Sequence, residues 1–209
     1  MNYILFDIGG TNTRVAKSVD LNSFSEVKKY NTPTDDFNIG IGSLKAAIRE
    51  LCPGDVTAIG GGIRGPLNKF KTGILSDIKL TGWANKNIVV ELTKEFSNAP
   101  VHLENDTAVV GLGEAIYGAG VGSNIMAYHT VSTGVGGVRI VHGKIDESTI
   151  GFEPGKQILD IDGSVLGTDK VNSLENLVSG DSLEEARGCL LYTSPSPRDR
   201  TRSRMPSSA

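Results

Sequence analysis

Cysteine is nearly missing from this chain: Cys52 and Cys189 are the only two among 209 residues. Two thiols build neither a disulfide framework nor a four-ligand zinc set, which points to a reducing compartment. No apolar run approaches the roughly 20 residues that a membrane-spanning helix needs. The start, Met1-Asn2-Tyr3-Ile4-Leu5-Phe6, has no basic leader and no cleavage signal. The expectation is a cytoplasmic protein with no membrane partner. Two nucleotide motifs are also missing. No Gly-Lys-Ser/Thr follows any glycine run, so there is no Walker loop. No G-x-G-x-x-G stands at a strand-to-helix turn, so a dinucleotide fold is excluded.

Glycine, by contrast, is abundant. Its 26 residues cluster at Gly9-Gly10, Gly60 to Gly62 and Gly134 to Gly137, where a sharp turn or close approach to a ligand is expected. Around these clusters the pattern alternates strands and helices. Strands are expected over 4–7, 13–18, 26–31, 56–59, 101–103, 125–131 and 135–141. A helix over 38–51 puts Ile41, Leu44, Ala47, Ile48 and Leu51 on one face, and Pro53-Gly54 stops it. A second helix covers 87–96. A third, capped by Asn105 or Asp106, runs to Tyr117 with Val109, Val110, Leu112 and Ile116 inward. Residues 118–123 read as a hinge. The fold class is α/β, with domains over 1–117 and 118–188.

Residues 189–209 have another character. Cys189 to Asp199 resembles one reading frame of a transposase-type sequencing adaptor, and Ser203 to Ala209 resembles its far end. This tail is therefore expected to be non-native, with the natural protein cut off near Gly188. Its four Arg and one Asp leave the preceding residues at a net charge of −6, which argues against a nucleic-acid partner.

Three stretches carry chemistry. Asp7-Ile8-Gly9-Gly10-Thr11-Asn12-Thr13 puts a poorly solvated carboxylate at a strand end, where Mg²⁺ or its water shell would compensate it. Gly9 and Gly10 let backbone N–H groups approach phosphate oxygens, and the Thr11 and Thr13 hydroxyls add donors. An ordinary hairpin turn reads the same. Thr130-Val131-Ser132-Thr133-Gly134-Val135-Gly136-Gly137 repeats the strand–turn–strand logic. Glu104-Asn105-Asp106-Thr107-Ala108 is either a plain N-cap or a general base, Asp106, with Asn105 orienting a sugar.

With Ile59 to Pro66, Gly82-Trp83, Gly113-Glu114, His142 to Ile145 and Gly151 to Gly155, these stretches resemble, in order, the ROK family of sugar kinases and sugar-responsive repressors. The resemblance covers residues 3 to about 180. It implies an actin-like ATPase (ribonuclease-H-like) fold with two lobes and mixed sheets, the second lobe incomplete here. It further implies ATP-dependent phosphorylation of a hexose or related sugar in a cleft, and a homodimer at full length. By motif match Asp106 is the catalytic base. Asp7, Gly9, Gly10, Thr11 and Asn12 serve the phosphates, with Mg²⁺ held by Asp7 through water, and Thr133 with Gly134 forms a second phosphate turn. Asn105, Asp106, Glu153, Lys156 and Glu175 contact the sugar.

This chain departs from the family's pattern at three places. The family's cysteine cluster has no counterpart in residues 166–173, and Lys156 stands where a zinc-binding His is usual, so no zinc site is expected. Lys156 can donate to a hydroxyl but not accept from one. Lys79 replaces an Asn before Gly82-Trp83, and is either solvated or a determinant favouring an anionic substrate. His102, His129 and His142 read as structural, Cys52 as a small buried hydrophobe and Trp83 as packing. Two other classes stay open, a sugar-responsive regulator and a non-catalytic sugar binder. The resemblance puts much of the adenosine pocket beyond this chain, which as it stands is expected to bind ATP weakly. The particular sugar and hydroxyl are not specified.

Overall fold

Strand β1 (Tyr3–Ile8) buries Ile4, Phe6 and Ile8 and leaves Leu5 exposed, the period-2 pattern of a strand with one face on a core. It pairs antiparallel with β2 (Asn12–Ser18) and parallel with β4 (Ala58–Ile63), which runs parallel to β5 (Val101–Asn105). With β3 (Lys28–Asn31) on the far edge, the five-stranded mixed sheet has the order β3-β2-β1-β4-β5. This is a computed structural model describing residues 1–132, 134–147, 152–167 and 169–187. Expectations for Thr133, Gly151 and the tail 189–209 lie outside those residues. The chain divides into two compact units, Met1–Ala119 and a second beginning at Gly120.

Helix α1 (Phe37–Leu51) begins at Asp36, whose carboxylate accepts from the N–H groups of Asn38 and Ile39 at 2.8 and 3.1 Å. It buries Phe37, Gly40, Ile41, Leu44, Ala47 and Ile48. Helix α2 (Ile88–Glu95), capped by Asn87, buries Ile88 and Leu92. Both helices join the strands in one core with Ile4, Ile8, Ile59 and Ile63. An ion pair from Lys45 to Glu91, 2.7 Å long, ties the helices together at the surface.

Two expectations need correcting here. The Gly60–Gly62 cluster is not a turn: β4 runs straight through it. A Cβ on Gly61 would lie 2.5 Å from the Phe6 ring, and one on Gly62 would lie 3.1 Å from Asp106 Cα. Gly61 and Gly62 are there for packing, whereas a Cβ on Gly60 would meet nothing within 4 Å. Helix α3 (Asp106–Tyr117) buries Ala108 and Gly111, while Val109, Val110 and Ile116 are exposed and Leu112 is half-buried. The helix residues nearest this strand are Asp106 and Val109, whose Cγ2 would lie 3.5 Å from a Cβ on Gly62.

In the second unit, β6 (Ile125–Val131) and β7 (Val135–Val141) form an antiparallel hairpin. His142 and Gly143, with φ of 50° and 72°, make the two-residue turn into β8 (Lys144–Ile145). His142 thus has a backbone role in this turn. The short helical turn Pro154–Lys156 lies on β7: a Cβ on Gly155 would be 2.2 Å from the Val135 carbonyl oxygen, and one on Gly137 2.6 Å from Pro154. Strands β9 (Ile158–Asp160) and β10 (Asn172–Ser173) pair, and helices α4 (Leu174–Val178) and α5 (Gly180–Arg187) follow. Among the described residues no helix is long and apolar enough to cross a membrane.

Candidate functional site

Three parallel strands of the first unit end together. Asp7, Gly62 and Glu104 are register partners, as are Ile8, Ile63 and Asn105 one residue later. The carboxyl ends of parallel strands are where open α/β sheets bind ligands. The structure therefore brings Asp7, the Gly9–Asn12 turn, Asn105 and Asp106 to one edge.

The first turn is held from below. Gly9 N–H donates to the Asn12 carbonyl at 3.0 Å, Thr32 N–H to the Thr11 carbonyl at 2.9 Å, and the Thr32 hydroxyl to the Gly9 carbonyl at 2.9 Å. Two expected phosphate donors are thereby spent. Gly9 N–H is used inside the turn, and the Thr13 hydroxyl, 2% exposed, shares a 2.9 Å hydrogen bond with Thr32. Gly10 and Thr11 keep N–H groups with no protein partner among the described residues. Thr32 escaped sequence reasoning because nothing local marks a residue that braces a turn 20 positions back.

Asp7 is not the poorly solvated carboxylate expected. Its side chain is 42% exposed and its Oδ2 accepts from Arg14 Nη1 at 2.6 Å. Arg14 faces Asp7 across the hairpin, a partner readable from the register once the turn is placed. Further along the edge, Arg64 Nε donates to both oxygens of Asp77, at 3.2 and 3.0 Å. The same carboxylate accepts from the N–H groups of Lys79 and Leu80 at 2.8 and 2.9 Å. Lys71 Nζ pairs with Glu104 Oε2 at 2.6 Å.

Asn105 is the N-cap of α3: its Oδ1 accepts from Ala108 N–H at 3.2 Å, and its Nδ2 donates to the Gly65 carbonyl at 3.3 Å. Capping is thus done by Asn105, and Asp106 occupies the first helical position. Its Oδ1 accepts from Thr107 N–H at 2.7 Å, and Oδ2 has no protein partner among the described residues. Burial pushes the Asp106 carboxyl above the usual aspartate range. Thr107 N–H opposes that rise, the Asp7 charge adds to it, and Arg64 pulls it back.

A raised folded pKa means that the native state holds this proton more tightly than the unfolded chain does. Ionised Asp106 therefore costs stability above its folded pKa, and the cost vanishes below the unfolded value near ~3.9. Asp106→Asn is expected to raise Tm at pH 7 and to lose that advantage by about pH 3. Melting curves across that range check it, and a variant no more stable than the wild type at pH 7 contradicts it.

In the second unit, Glu175 is the hub. Its Oε2 accepts from Val135 N–H at 2.8 Å, at the exit of the second turn, and its Oε1 takes Lys156 Nζ at 2.6 Å. A Cβ on Gly134 would lie 2.8 Å from the same Oε2. Local desolvation raises the Glu153 carboxyl, with Lys156 lowering and Glu175 raising it. Gly134, Glu153, Lys156 and Glu175 are thus gathered together. Zinc does not fit here: residues 166–173 offer no cysteine, and Lys156 presents an ammonium committed to Glu175 rather than a ligand lone pair.

The model of the ROK family matches residues 3–194. A glucokinase of Halalkalibacterium halodurans is 29% identical over 152 residues, 68% of this chain and 45% of that protein. The crystal structure of a ROK family glucokinase from Streptomyces griseus, in complex with glucose and AMPPNP, superposes with a TM-score of 0.71 at 24% identity. It covers 88% of this chain and 59% of that one. A ROK family transcriptional regulator, a homologue of the E. coli MLC protein, superposes with a TM-score of 0.73 at 19% identity, over 95% of this chain and 52% of that one. The fold is the actin-like ATPase fold that ROK sugar kinases have. The chain spans about half the length of the glucokinases it matches.

Proposed function

From the premise that this chain belongs to the ROK family, we propose that the whole protein phosphorylates a hexose or related sugar hydroxyl with ATP, Asp106 being the general base. One observation carries this reading: a desolvated carboxylate at the carboxyl edge of the sheet whose Oδ2 is uncommitted, its neighbour Asn105 having taken over the capping. Such a group accepts a hydroxyl proton while phosphoryl transfer proceeds, a reaction that otherwise asks for positioning and charge stabilisation. Glucose and AMPPNP in the Streptomyces griseus structure support the same substrate classes.

The residues divide the work as follows. Gly10 and Thr11 offer N–H groups to phosphate oxygens, and Asn12 closes their turn. Gly134 is assigned to the second phosphate turn, whose exit at Val135 is held by Glu175, and Thr133 joins it by motif match alone. Asn105 and Asp106 orient the sugar, and Glu153, Lys156 and Glu175 of the second unit are assigned to sugar binding by motif match alone. The residues fit a water-mediated Mg²⁺ at Asp7, where Arg14 holds Oδ2 and Oδ1 has no protein partner among the described residues; when bound, it offsets charge on the phosphates.

A coupled ADP-release screen of the whole protein over hexoses and amino sugars tests this. Sugar-dependent ADP release with at least one neutral hexose or amino sugar is the expected result. Tight sugar binding with no ATP turnover would replace it with a non-catalytic role. A sugar-responsive regulator would instead bind DNA and release it on adding sugar.

A further inference from the structure

Three cations crowd the first turn. Arg14 stands across the hairpin from Asp7, and a Cβ on Gly10 would lie 3.4 Å from Arg64 Cδ and 2.9 Å from Lys79 Cβ. Two are already neutralised: Arg14 by Asp7 at 2.6 Å and Arg64 by Asp77 at 3.0 Å. Lys79 is exposed and has no carboxylate at ion-pair distance among the described residues.

Its backbone, however, is not free. Asp77, whose side chain is 8% exposed, accepts from Lys79 N–H and Leu80 N–H, and the segment continues into fully buried Leu80 and Trp83. An uncompensated ammonium is therefore carried on a fixed segment packed against Gly10. Its flexible four-carbon stem starts beside Gly10, whose N–H group, like that of Thr11, is unpartnered among the described residues. Backbone donors plus an unneutralised cation make an anion site.

We propose that Lys79 is the cation of the first phosphate turn and binds the terminal phosphoryl group of the donor. This rests on the reading of residues 9–11 as a phosphate turn. The terminal phosphoryl group fits better than an anionic sugar because two unpartnered backbone donors and the Lys79 stem adjoin one glycine turn, and a phosphoryl group has oxygens enough to accept from all of them.

Isothermal titration of the whole protein with inorganic tripolyphosphate tests this, using wild type, Lys79→Met and Lys79→Arg. The Lys79 side chain makes no hydrogen bond or ion pair among the described residues, so both variants are expected to melt like the wild type. Lys79→Met should bind tripolyphosphate about tenfold more weakly, the scale of one charge-assisted hydrogen bond, and Lys79→Arg should stay near wild type. Unchanged affinity in Lys79→Met overturns the assignment and leaves the phosphate turn standing. A wild type that binds no tripolyphosphate removes the turn reading as well. Unchanged tripolyphosphate affinity with lost affinity for a hexuronate overturns it in favour of an anionic sugar.

Discussion

Asp106→Ala should lower sugar-dependent ADP release by the whole protein about 10²- to 10⁴-fold, the range expected for removing a positioned general base. The loss should fall on kcat, with the sugar KM changed much less, because the carboxylate's proton affinity matters in the transition state. Folding offers no confounding explanation. Asn105, not Asp106, caps α3, and alanine is well tolerated at a first helical position. Removing a desolvated carboxylate also relieves a cost that burial and the Asp7 charge impose. The variant is thus expected to fold at least as well as the wild type while losing turnover. The pH dependence should agree. In the wild type kcat/KM falls on the acid side through a pKa above the ordinary aspartate value, because Asp106 must be ionised to accept the proton. Turnover by Asp106→Ala within threefold of wild type would remove Asp106 from the mechanism.

Much of this site is written locally in the chain, and the parts that are not have a common cause. The strand, turn and strand over β1 and β2 are legible because alternation and a Gly-Gly pair act over neighbouring residues. The Asn105 cap is legible for the same reason. The glycines of β4 were misleading: they read as a turn or a ligand approach, yet Gly61 makes room for Phe6 and Gly62 for the start of α3. A missing Cβ looks the same in sequence whichever neighbour needs the space. The face of α3 is likewise not the expected one: Ala108 and Gly111 are buried, Val110 and Ile116 are exposed, and Val109 lies beside Gly62. The ion pairs are the least legible. Asp77 finds Arg64 13 positions away and Glu175 finds Lys156 19 positions away. Charge spacing along the chain carries no record of such pairs, which exist only after the loops have packed.

Trp83→Ala is expected to destabilise the first unit by roughly 3–5 kcal/mol, the cost of emptying a large aromatic site. That is a large share of the ~5–15 kcal/mol by which domains are stable. Trp83 is 1% exposed, meets Phe37 edge-on with ring centroids 5.3 Å apart, and donates from Nε1 to the Pro33 carbonyl at 2.7 Å. Alanine would leave both a cavity and an unpaired carbonyl. Trp83→Phe should lose less, since it keeps much of the volume and forfeits mainly the hydrogen bond. Gly40→Ala gives an independent check whose sign is informative. By helix propensity alone, alanine inside α1 should stabilise by about 1 kcal/mol. By packing it should destabilise, because its Cβ would fall 2.3 Å from Trp83 Cζ2. Packing is expected to win, since the ring is enclosed and has nowhere to move. Trp83 is the chain's one tryptophan, so its variants must be followed by far-UV circular dichroism rather than fluorescence. A denaturation midpoint for Trp83→Ala equal to wild type, or a Gly40→Ala more stable than wild type, would show that the ring does not anchor this segment. The fixed position of Lys79 beside the first turn would then need another support.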